Sequence, residues 1–373
     1  MDRKEYRKLM DEVLYLVRCA VNNELPEKPE IEKLDMANLY KVAEKHMLAA
    51  LVAYALKKAG IYEKDFVQSL GKSIRKVTIM ELDKELLFQR FEEEKIWYMP
   101  LKGIVVKELY PAAGFRQMSD FDILFDGSRA EDVNEIMLSM GFTCEKFGKS
   151  IHNVYYKQPV SNFEMHTALF GNYHDRKLYK YYKNVFDRLE KDKDNDYGYH
   201  FNNNDMYIYI VAHEYKHYTE GGTGVRSLLD IYMIWKKLGE TLDEKYIARE
   251  TRKLGIYDFE KKNKILATHL FGGGELTEEE KKMLDYMIYS GVYGNIQNKI
   301  KNHVADCGGG KIGKVKFLFK NLFLPMHRVK IYYPLFYKYK VLLPFLPLYR
   351  IGRSLTVSRE KTKTMLKILK KVK

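Results

Sequence analysis

The chain has 373 residues, of which 46% are hydrophobic. This size and apolar content exclude a disordered chain and leave room for two or three packed domains. The formal net charge of +14 is unevenly distributed. Residues 311–373 hold 17 of the 64 Lys and Arg residues but one of the 50 acidic residues, so this segment has a charge of +16 and the rest of the chain −2.

Cysteine usage and hydropathy predict a cytoplasmic protein. The three cysteines, Cys19, Cys144 and Cys307, are widely separated and the first residues are charged, so we expect neither a disulfide framework nor a secretory signal. A membrane-spanning helix needs about 20 apolar residues. The best candidate, residues 341–348, is short and contains two prolines.

The first 95 residues are predicted to be helical, because apolar residues such as Leu82, Leu86 and Phe91 recur at three- to four-residue spacing. The pattern then changes, and residues 96–190 are predicted to form a small sheet with helices. Its elements are a strand at 96–99, a helix at 104–109, an aspartate-bearing strand at 119–125, a helix between a Ser128/Glu131 capping box and Gly141, and strands at 151–157 and 162–169.

The second half is predicted to be helical after a polar loop at 190–204. Helices are expected at 206–217 and 225–238, and another begins at Thr277 with Glu280 as its capping partner. We therefore predict an α+β fold in which a small mixed sheet is flanked by helical regions. The predicted divisions are an N-terminal helical region 1–95, a core 96–190, a helical domain 204–310 and a basic, aromatic helical tail 311–373.

Two carboxylates, Asp120 and Asp122, lie one residue apart in an apolar, strand-like run. Strand side chains alternate, so both point to the same face, where their repulsion and desolvation would be offset by a bound cation. Glu164 lies in a second alternating strand. If the two strands are neighbours, the three carboxylates surround one or two Mg²⁺ or Mn²⁺ ions, a site suited to phosphoryl or nucleotidyl transfer.

A candidate phosphate-binding element precedes these strands. Gly103 separates a predicted strand from a helix, and such a junction offers backbone amides and the positive end of the helix dipole to a phosphate. Lys102 and Arg116 add positive charge, and Ser119 directly precedes the aspartate pair. We predict that these four residues bind the phosphates.

Several segments together resemble the nucleotidyltransferase superfamily with a polymerase-beta-type core, and more narrowly the bacterial uncharacterised nucleotidyltransferase family. They are Leu101-Lys102-Gly103, Tyr110-Pro111, Arg116, Ser119-Asp120-Phe121-Asp122-Ile123-Leu124 and Phe163-Glu164-Met165-His166. The resemblance, strongest between residues 70 and 240, implies transfer of a nucleoside monophosphate from a nucleoside triphosphate to an acceptor hydroxyl, with release of pyrophosphate. It also implies that Asp120 and Asp122 hold the metal ions and that Glu164 completes the ion on the nucleophile side.

One element departs from the pattern of the superfamily. Its members carry a Gly-Ser pair at the helix start, whereas Ile104 follows Gly103 here. We expect Lys102 to replace the missing hydroxyl at the triphosphate. The same departure motivates an alternative function, a catalytically inactive nucleotide-binding protein or a membrane-associated assembly protein.

A competing metal motif occurs at His213-Glu214-Tyr215-Lys216-His217, which matches the His-Glu-x-x-His pattern of zinc peptidases. No further histidine follows at a suitable spacing, and Gly221 and Gly222 interrupt the helix. The structural alternative is that the helix packs on the sheet. The family resemblance implies a third interpretation, in which five residues line the nucleotide or acceptor pocket: His166, His213, His217, Arg226 and Asp230.

The tail interleaves aromatic residues with Lys and Arg between residues 316 and 353. This pattern is typical of nucleic-acid binding, of an anionic membrane surface, or of an ordinary helical subdomain with a solvated cationic face. Because Leu, Phe and Pro dominate residues 341–348, membrane contact is favoured over nucleic acid, and a peripheral position at the inner face of the membrane is predicted. The acceptor stays open: a sugar, a small alcohol, a glycan intermediate or a protein side chain.

Overall fold

The computed structural model describes residues 1–27, 31–145, 147–171, 176–292 and 294–372, except for the side chains of residues 327 and 331. The chain divides into two compact units. Unit 1 comprises Met1–Lys216 and Gly224–Val292, and unit 2 comprises His217–Thr223 and Tyr293–Lys373. Unit 1 contains the sheet, so the predicted α+β class is confirmed.

Over the residues that the structure describes, four α-helices precede the sheet, as the apolar spacing predicts. The first is capped by Asp2, whose carboxylate accepts hydrogen bonds from the backbone N–H groups of Lys4 and Glu5. The fourth is 30 residues long and covers one face of the sheet with Val77, Met80 and Leu87. The helices are α1 (Arg3–Asn22), α2 (Met36–Lys45), α3 (Ala49–Lys58) and α4 (Lys64–Glu93).

The sheet has five strands in the order β1-β2-β5-β4-β3. β2 and β5 are parallel, while the other three pairings are antiparallel. Helices α5 (Gly103–Val106) and α6 (Ala130–Ser139) connect the strands. The strands are β1 (Tyr98–Pro100), β2 (Phe121–Phe125), β3 (Thr143–Cys144), β4 (His152–Lys157) and β5 (Ser161–His166).

Side chains alternate along β2 and β5, so that apolar side chains face the hydrophobic core and polar side chains face the other side of the sheet. Apart from Ser161, whose hydroxyl donates to Asp83, the odd-numbered residues of these strands are apolar and fully buried against α4 and α6: Phe121, Ile123, Phe125, Phe163 and Met165. The even-numbered residues point to the other face, because side chains on a strand alternate. They include Asp122, Glu164 and His166, so the carboxylates lie on the face opposite the hydrophobic core.

The structure corrects two local predictions. Ser128 and Glu131 do not form a capping box: Asp126 accepts hydrogen bonds from the backbone N–H and the hydroxyl of Ser128, and a 3₁₀ turn at Gly127–Arg129 leads into α6. Asp126 thus binds the backbone N–H of Ser128, which Glu131 would bind in a capping box. The predicted loop 190–204 contains a hairpin of β6 (Leu189–Lys191) and β7 (Tyr199–Phe201).

The remaining helices of unit 1 follow the predicted pattern. The helix that begins at Glu278 is opened by the predicted Thr277/Glu280 capping box, in which each side chain accepts from the other residue's backbone N–H. After α7 (Arg176–Tyr182), these helices are α8 (Asn203–Glu220), α9 (Val225–Leu238), α10 (Glu244–Leu254), α11 (Tyr257–Gly272) and α12 (Glu278–Ser290). The end of α8 is assigned to unit 2.

Unit 2 is helical and has a small core of its own, formed by Ile300, Val304, Cys307, Phe317, Ile368 and Leu369. None of the described helices in either unit combines the length and apolar character that crossing a bilayer demands. The helices of unit 2 are α13 (Ile296–Asp306), α14 (Gly310–Leu322), α15 (Met326–Tyr332), α16 (Pro334–Lys338), α17 (Leu346–Leu355) and α18 (Arg359–Lys371).

A buried ion pair joins α9 to the segment between α5 and β2. The guanidinium of Arg116 donates from Nε and Nη2 to the two carboxylate oxygens of Asp230, at 2.8 and 2.7 Å. The hydroxyl of Tyr110 donates to the same carboxylate at 2.7 Å. The geometry also explains Gly103, because a Cβ there would lie 2.5 Å from Nη1 of Arg116. This contact fixes the turn from which Lys102 projects.

Replacement of Asp230 by Ala is expected to lower the free energy of unfolding by about 3–5 kcal/mol, because it leaves the guanidinium of Arg116 buried without a counter-charge. The matched control is Asp285→Ala. Asp285 is an exposed carboxylate 3.3 Å from Nε of Arg7, and its loss should cost less than about 1 kcal/mol. Urea denaturation followed by circular dichroism measures both, and equal losses would contradict the assignment.

A buried histidine is expected to make stability depend on pH. His46 is fully buried, its Nε2 lies 2.7 Å from the hydroxyl of Tyr6, and burial lowers the pKa of His46 to about 4. The unfolded chain, with a pKa near 6.5, then binds the proton that the folded chain excludes. Stability is complete above pH 6.5 and falls as the pH drops toward 4, by up to about 1.4 kcal/mol per pH unit.

The measurement compares the wild type with His46→Asn, which has no titrating group at this position. Chemical denaturation at neutral pH and at about pH 5 should show a loss in the wild type roughly 2 kcal/mol larger than in the variant. If both proteins lose the same free energy, His46 is not the group responsible.

Candidate active site

The aspartate pair and Glu164 meet on one face of the sheet. Asp120 directly precedes β2, Asp122 lies within it, and the register of the parallel pair sets Asp122 beside Glu164. The two strands are therefore neighbours, which is the condition on which a three-carboxylate site depends. Asp122 is buried, whereas Asp120 and Glu164 are half-buried and face the same side. A ligand approaching this face meets three carboxylates.

The two aspartates differ in their electrostatic surroundings. Burial, together with the negative charges of Asp122 and Glu164, raises the pKa of Asp120 to about 6, against the opposing effect of Lys102 and Arg226. Burial also opposes ionisation of Asp122, but contacts with Lys102 and His166 outweigh it and hold the pKa of Asp122 well below its usual range. Asp122 is thus a fixed anion, and Asp120 is a carboxylate whose charge is repelled by its neighbours.

Lys102 supplies a fixed positive charge to the site. Its Nζ lies 2.7 Å from Oδ1 of Asp122, and the charge of Asp122 raises the pKa of Lys102 against the effect of burial. The backbone of Lys102 has φ +48° and ψ −117°, a conformation that side chains rarely adopt. A residue in such a region costs on the order of 1–3 kcal/mol. The strained backbone therefore lies at Lys102, the residue whose ammonium contacts Asp122.

Two histidines complete this face. Nε2 of His166 lies 2.9 Å from Oδ1 of Asp122 and 3.6 Å from Oε2 of Glu164. Nε2 of His152, on the neighbouring strand β4, lies 3.9 Å from the same Oε2. The two imidazole rings are 5.0 Å apart. Contact with His166 lowers the pKa of Glu164 against its burial, so Glu164 is held as a carboxylate.

The four predicted phosphate-binding residues have different surroundings. The guanidinium of Arg116 is engaged by Asp230 and Met118, and the space beside Gly103 is filled by Arg116. The phosphate contacts predicted for Arg116 and Gly103 stay predictions that this geometry does not favour. Ser119 directs its hydroxyl to Sδ of Met47 at 3.5 Å, and Lys102 faces the carboxylates.

Further cations lie near Asp120. Nη1 of Arg226 donates to the carbonyl of Gln117 at 2.7 Å, and its charge favours ionisation of Asp120. Nζ of Lys76, on α4, donates to the carbonyl of Ser119 at 2.8 Å, and burial lowers the pKa of Lys76 while Asp120 raises it. Arg226 was among the predicted pocket residues, and Asp230 instead binds Arg116.

The structure does not favour the zinc-peptidase alternative. Glu214, its candidate base, is buried and accepts a hydrogen bond from Nδ2 of Asn263 at 2.6 Å. Burial raises the pKa of Glu214 to about 7. His213 lies in unit 1 with its ring 6.2 Å from that of Tyr209, while His217 is exposed in unit 2. Over the described part of the chain, neither histidine belongs to a group of three metal-ligating side chains.

Sequence reasoning missed three side chains at this face. His152 is at the start of a correctly predicted strand, and only its pairing with His166 brings it to the site. Tyr209 of α8 is buried, and its pKa is raised by burial and affected by the charges of Lys102, Asp122 and Glu164. Lys76 lies on the long helix α4. Sheet register was the missing signal for His152, and tertiary packing for the other two.

The arrangement is chemically suited to holding cations. It combines three carboxylate groups with two imidazoles, and such oxygen and nitrogen donors bind divalent metal ions. Among the described residues, His152, Glu164 and His166 form the group whose ligand atoms all lie within 4.8 Å of one another. Asp122 adds a carboxylate oxygen 2.9 Å from one member of this group.

Comparison with known proteins agrees with this geometry. No match was found to a curated protein or to a solved structure. A family described as uncharacterised nucleotidyltransferase matches residues 32–272, which cover the sheet, the carboxylates and helices α8 and α9. This match spans more than half of the chain and confirms the predicted family and the general nucleotidyltransferase function. The chain belongs to the uncharacterised nucleotidyltransferase family.

Proposed function

We propose that the protein transfers a nucleoside monophosphate from a nucleoside triphosphate to an acceptor hydroxyl in a reaction that depends on Mg²⁺ or Mn²⁺. Membership of the family supports nucleotidyl transfer in general. The observation that carries the finer proposal is the placement of Asp120, Asp122 and Glu164 on one sheet face, with Asp122 and Glu164 in register.

The three carboxylates fit a divalent cation. Repulsion from Asp122 and Glu164 contributes to the raised pKa of Asp120, and a cation between these groups would relieve it. Mg²⁺ prefers oxygen ligands and keeps several waters, and two or three carboxylates leave it positions for phosphate oxygens. Asp120, Asp122 and Glu164 would hold the ion. When bound, it would lower the pKa of the acceptor hydroxyl and neutralise charge on the leaving pyrophosphate.

The side chains of the chain itself have distinct roles in this proposal. Lys102 and Arg226 supply positive charge to the triphosphate beside the carboxylates, and the Arg116–Asp230 pair positions the turn that carries Lys102. Glu164 accepts the proton of the acceptor hydroxyl. The acceptor oxygen then bonds to the α-phosphorus, the bond from that phosphorus to the bridging oxygen breaks, and pyrophosphate leaves.

The acceptor is proposed only as a hydroxyl, from a sugar, a small alcohol, a glycan intermediate or a protein side chain. A second candidate function is nucleotide binding without turnover. It is favoured by Lys102, because the ammonium contacts Asp122 at 2.7 Å and contributes positive charge where the proposal places a metal ion. The two candidates differ in whether pyrophosphate is released.

We also propose that unit 2 contacts an anionic membrane surface from the cytoplasmic side. Of the large apolar side chains that are exposed in the described residues, more than half lie between Ile312 and Leu366. Helix α17 exposes Leu348, Ile351 and Leu355 on one side. Residues 311–373 of this unit have a charge of +16, whereas the rest of the chain is nearly neutral. Apolar residues beside basic residues are the pattern of interfacial helices.

The catalytic proposal is tested by incubating the full-length protein with each labelled nucleoside triphosphate, Mg²⁺ or Mn²⁺ and acceptors of the four classes. Asp120→Asn is expected to lower transfer and pyrophosphate release at least about 100-fold, since partners that only orient metal ligands are already worth 10- to 100-fold. The matched control is Asp132→Asn, an exposed carboxylate on α6. Unchanged turnover in Asp120→Asn would refute the assigned site, and nucleotide binding without turnover in the wild type would favour the second candidate.

The membrane proposal predicts that the full-length protein sediments with vesicles that contain anionic lipid, and much less with zwitterionic vesicles or at high salt. Replacing Leu348, Ile351 and Leu355 by Glu should weaken sedimentation at least about 10-fold, because apolar area is lost and negative charge is added. Leu82→Glu with Leu86→Glu, at exposed positions of α4, is the matched control. Equal sedimentation of both variants would reject the surface, and binding of RNA or DNA in place of vesicles would reject the lipid partner.

A further inference from the structure

Two histidines and one glutamate converge beside the aspartate pair, and the proposed catalytic mechanism uses only the glutamate. His152 and His166 are directly paired across β4 and β5, and both point to the face that carries Glu164. Oε2 of Glu164 lies 3.9 Å from Nε2 of His152 and 3.6 Å from Nε2 of His166. The ligand atoms of all three lie within 4.8 Å of one another.

These separations are compatible with a single bound ion. At metal–nitrogen and metal–oxygen distances of about 2.1 Å, neighbouring ligand atoms stand about 3.0–3.4 Å apart. The three ligand atoms are farther apart than this, and small rotations of their side chains would bring them to that separation. A fourth ligand atom is already within reach, because Oδ1 of Asp122 lies 2.9 Å from Nε2 of His166. Three of the four side chains sit on two adjacent, hydrogen-bonded strands, and the fourth on their neighbour β2.

We propose that His152, Glu164 and His166 form a binding site for a divalent transition metal ion, with Zn²⁺ favoured over Mn²⁺ and Mn²⁺ over Mg²⁺. Imidazole nitrogen suits Zn²⁺ and other first-row ions, whereas Mg²⁺ prefers an all-oxygen environment. Two histidines, one glutamate and an open position is a ligand set that binds zinc in proteins. Affinity for such donors also increases from Mn²⁺ to Zn²⁺.

The site differs from the carboxylate site in the residues that define it. Asp120 belongs only to the carboxylate site, and His152 only to the histidine site, while Glu164 is common to both. Metal binding by the histidines does not depend on the proposed catalytic function, because it requires neither nucleotide nor turnover. An alternative arrangement of the same side chains is a hydrogen-bonded relay, in which His166 donates to Asp122 and no metal ion is bound.

The test measures metal binding to the full-length protein without nucleotide. The protein is stripped with a chelator, dialysed against Zn²⁺, Mn²⁺ or Mg²⁺ separately, and analysed for bound metal. We expect one Zn²⁺ per chain in the wild type, weaker Mn²⁺ binding detected by electron paramagnetic resonance, and no displacement of Zn²⁺ by excess Mg²⁺. A rise in the melting temperature with Zn²⁺ provides an independent readout of binding to the folded chain.

His152→Gln is the decisive variant, because His152 is half-buried and its replacement is less disruptive than that of the buried His166. It should weaken Zn²⁺ binding at least about 10-fold and abolish the rise in melting temperature, while the melting temperature without metal stays close to that of the wild type. Asp120→Asn should keep Zn²⁺ binding even as it removes nucleotidyl transfer. Failure of the metal site and failure of the proposed function are thereby distinguishable.

The matched control is His200→Gln. His200 is an exposed histidine in β7 whose ring nitrogens lie near Asp192 and Glu190, so it presents a comparable mixture of imidazole and carboxylate. The His200→Gln variant should bind Zn²⁺ as the wild type does. The proposal is overturned if the wild type binds no stoichiometric Zn²⁺, if binding survives in His152→Gln, if it is lost in His200→Gln, or if Mg²⁺ competes at comparable concentration.

Discussion

The contact of Lys102 and His166 with the same carboxylate oxygen of Asp122 is the interaction on which the site depends. Asp122 is buried on a strand whose other face is the hydrophobic core, and an isolated carboxylate there would be strongly disfavoured. The two contacts, at 2.7 and 2.9 Å, keep it charged. Because Asp122 is held as an anion, the negative charge at the centre of this face is permanent, and the half-buried Asp120 and Glu164 are arranged around it.

The strained turn at Lys102 depends on a second buried ion pair. Lys102 adopts a positive φ directly before Gly103, and the absence of a Cβ at Gly103 lets the guanidinium of Arg116 lie against the turn. Asp230 on α9 then neutralises Arg116 through two hydrogen bonds. Helix α9 therefore influences the carboxylates through Arg116 and Gly103. This chain of contacts explains why charged residues far apart in sequence belong to one structural unit.

Much of this arrangement was predictable from the sequence, because it follows from alternation. The spacing of Asp120 and Asp122, the apolar residues between them and the similar pattern around Glu164 together specify two strands with an acidic face and a buried face. Whether these two strands are neighbours stayed a condition, because nothing in either pattern specifies their pairing. The role of Arg116 was not predictable, because an arginine near a glycine turn suits a phosphate as well as a distant Asp230 until the tertiary fold is known.

Where the superfamily pattern has a Gly-Ser pair, this chain has Gly103-Ile104, and the charged Lys102 directly precedes the glycine. A serine hydroxyl is neutral, so a site that contains it relies on metal ions to offset its carboxylates. Here an ammonium 2.7 Å from Asp122 already offsets part of that charge, and Lys76 and Arg226 lie nearby. Under the proposed function, such a site would need less metal charge to bind a triphosphate. Under the proposed metal site, ligand identity rather than charge alone would decide which cation binds, because His152 and His166 distinguish this face from an all-carboxylate one.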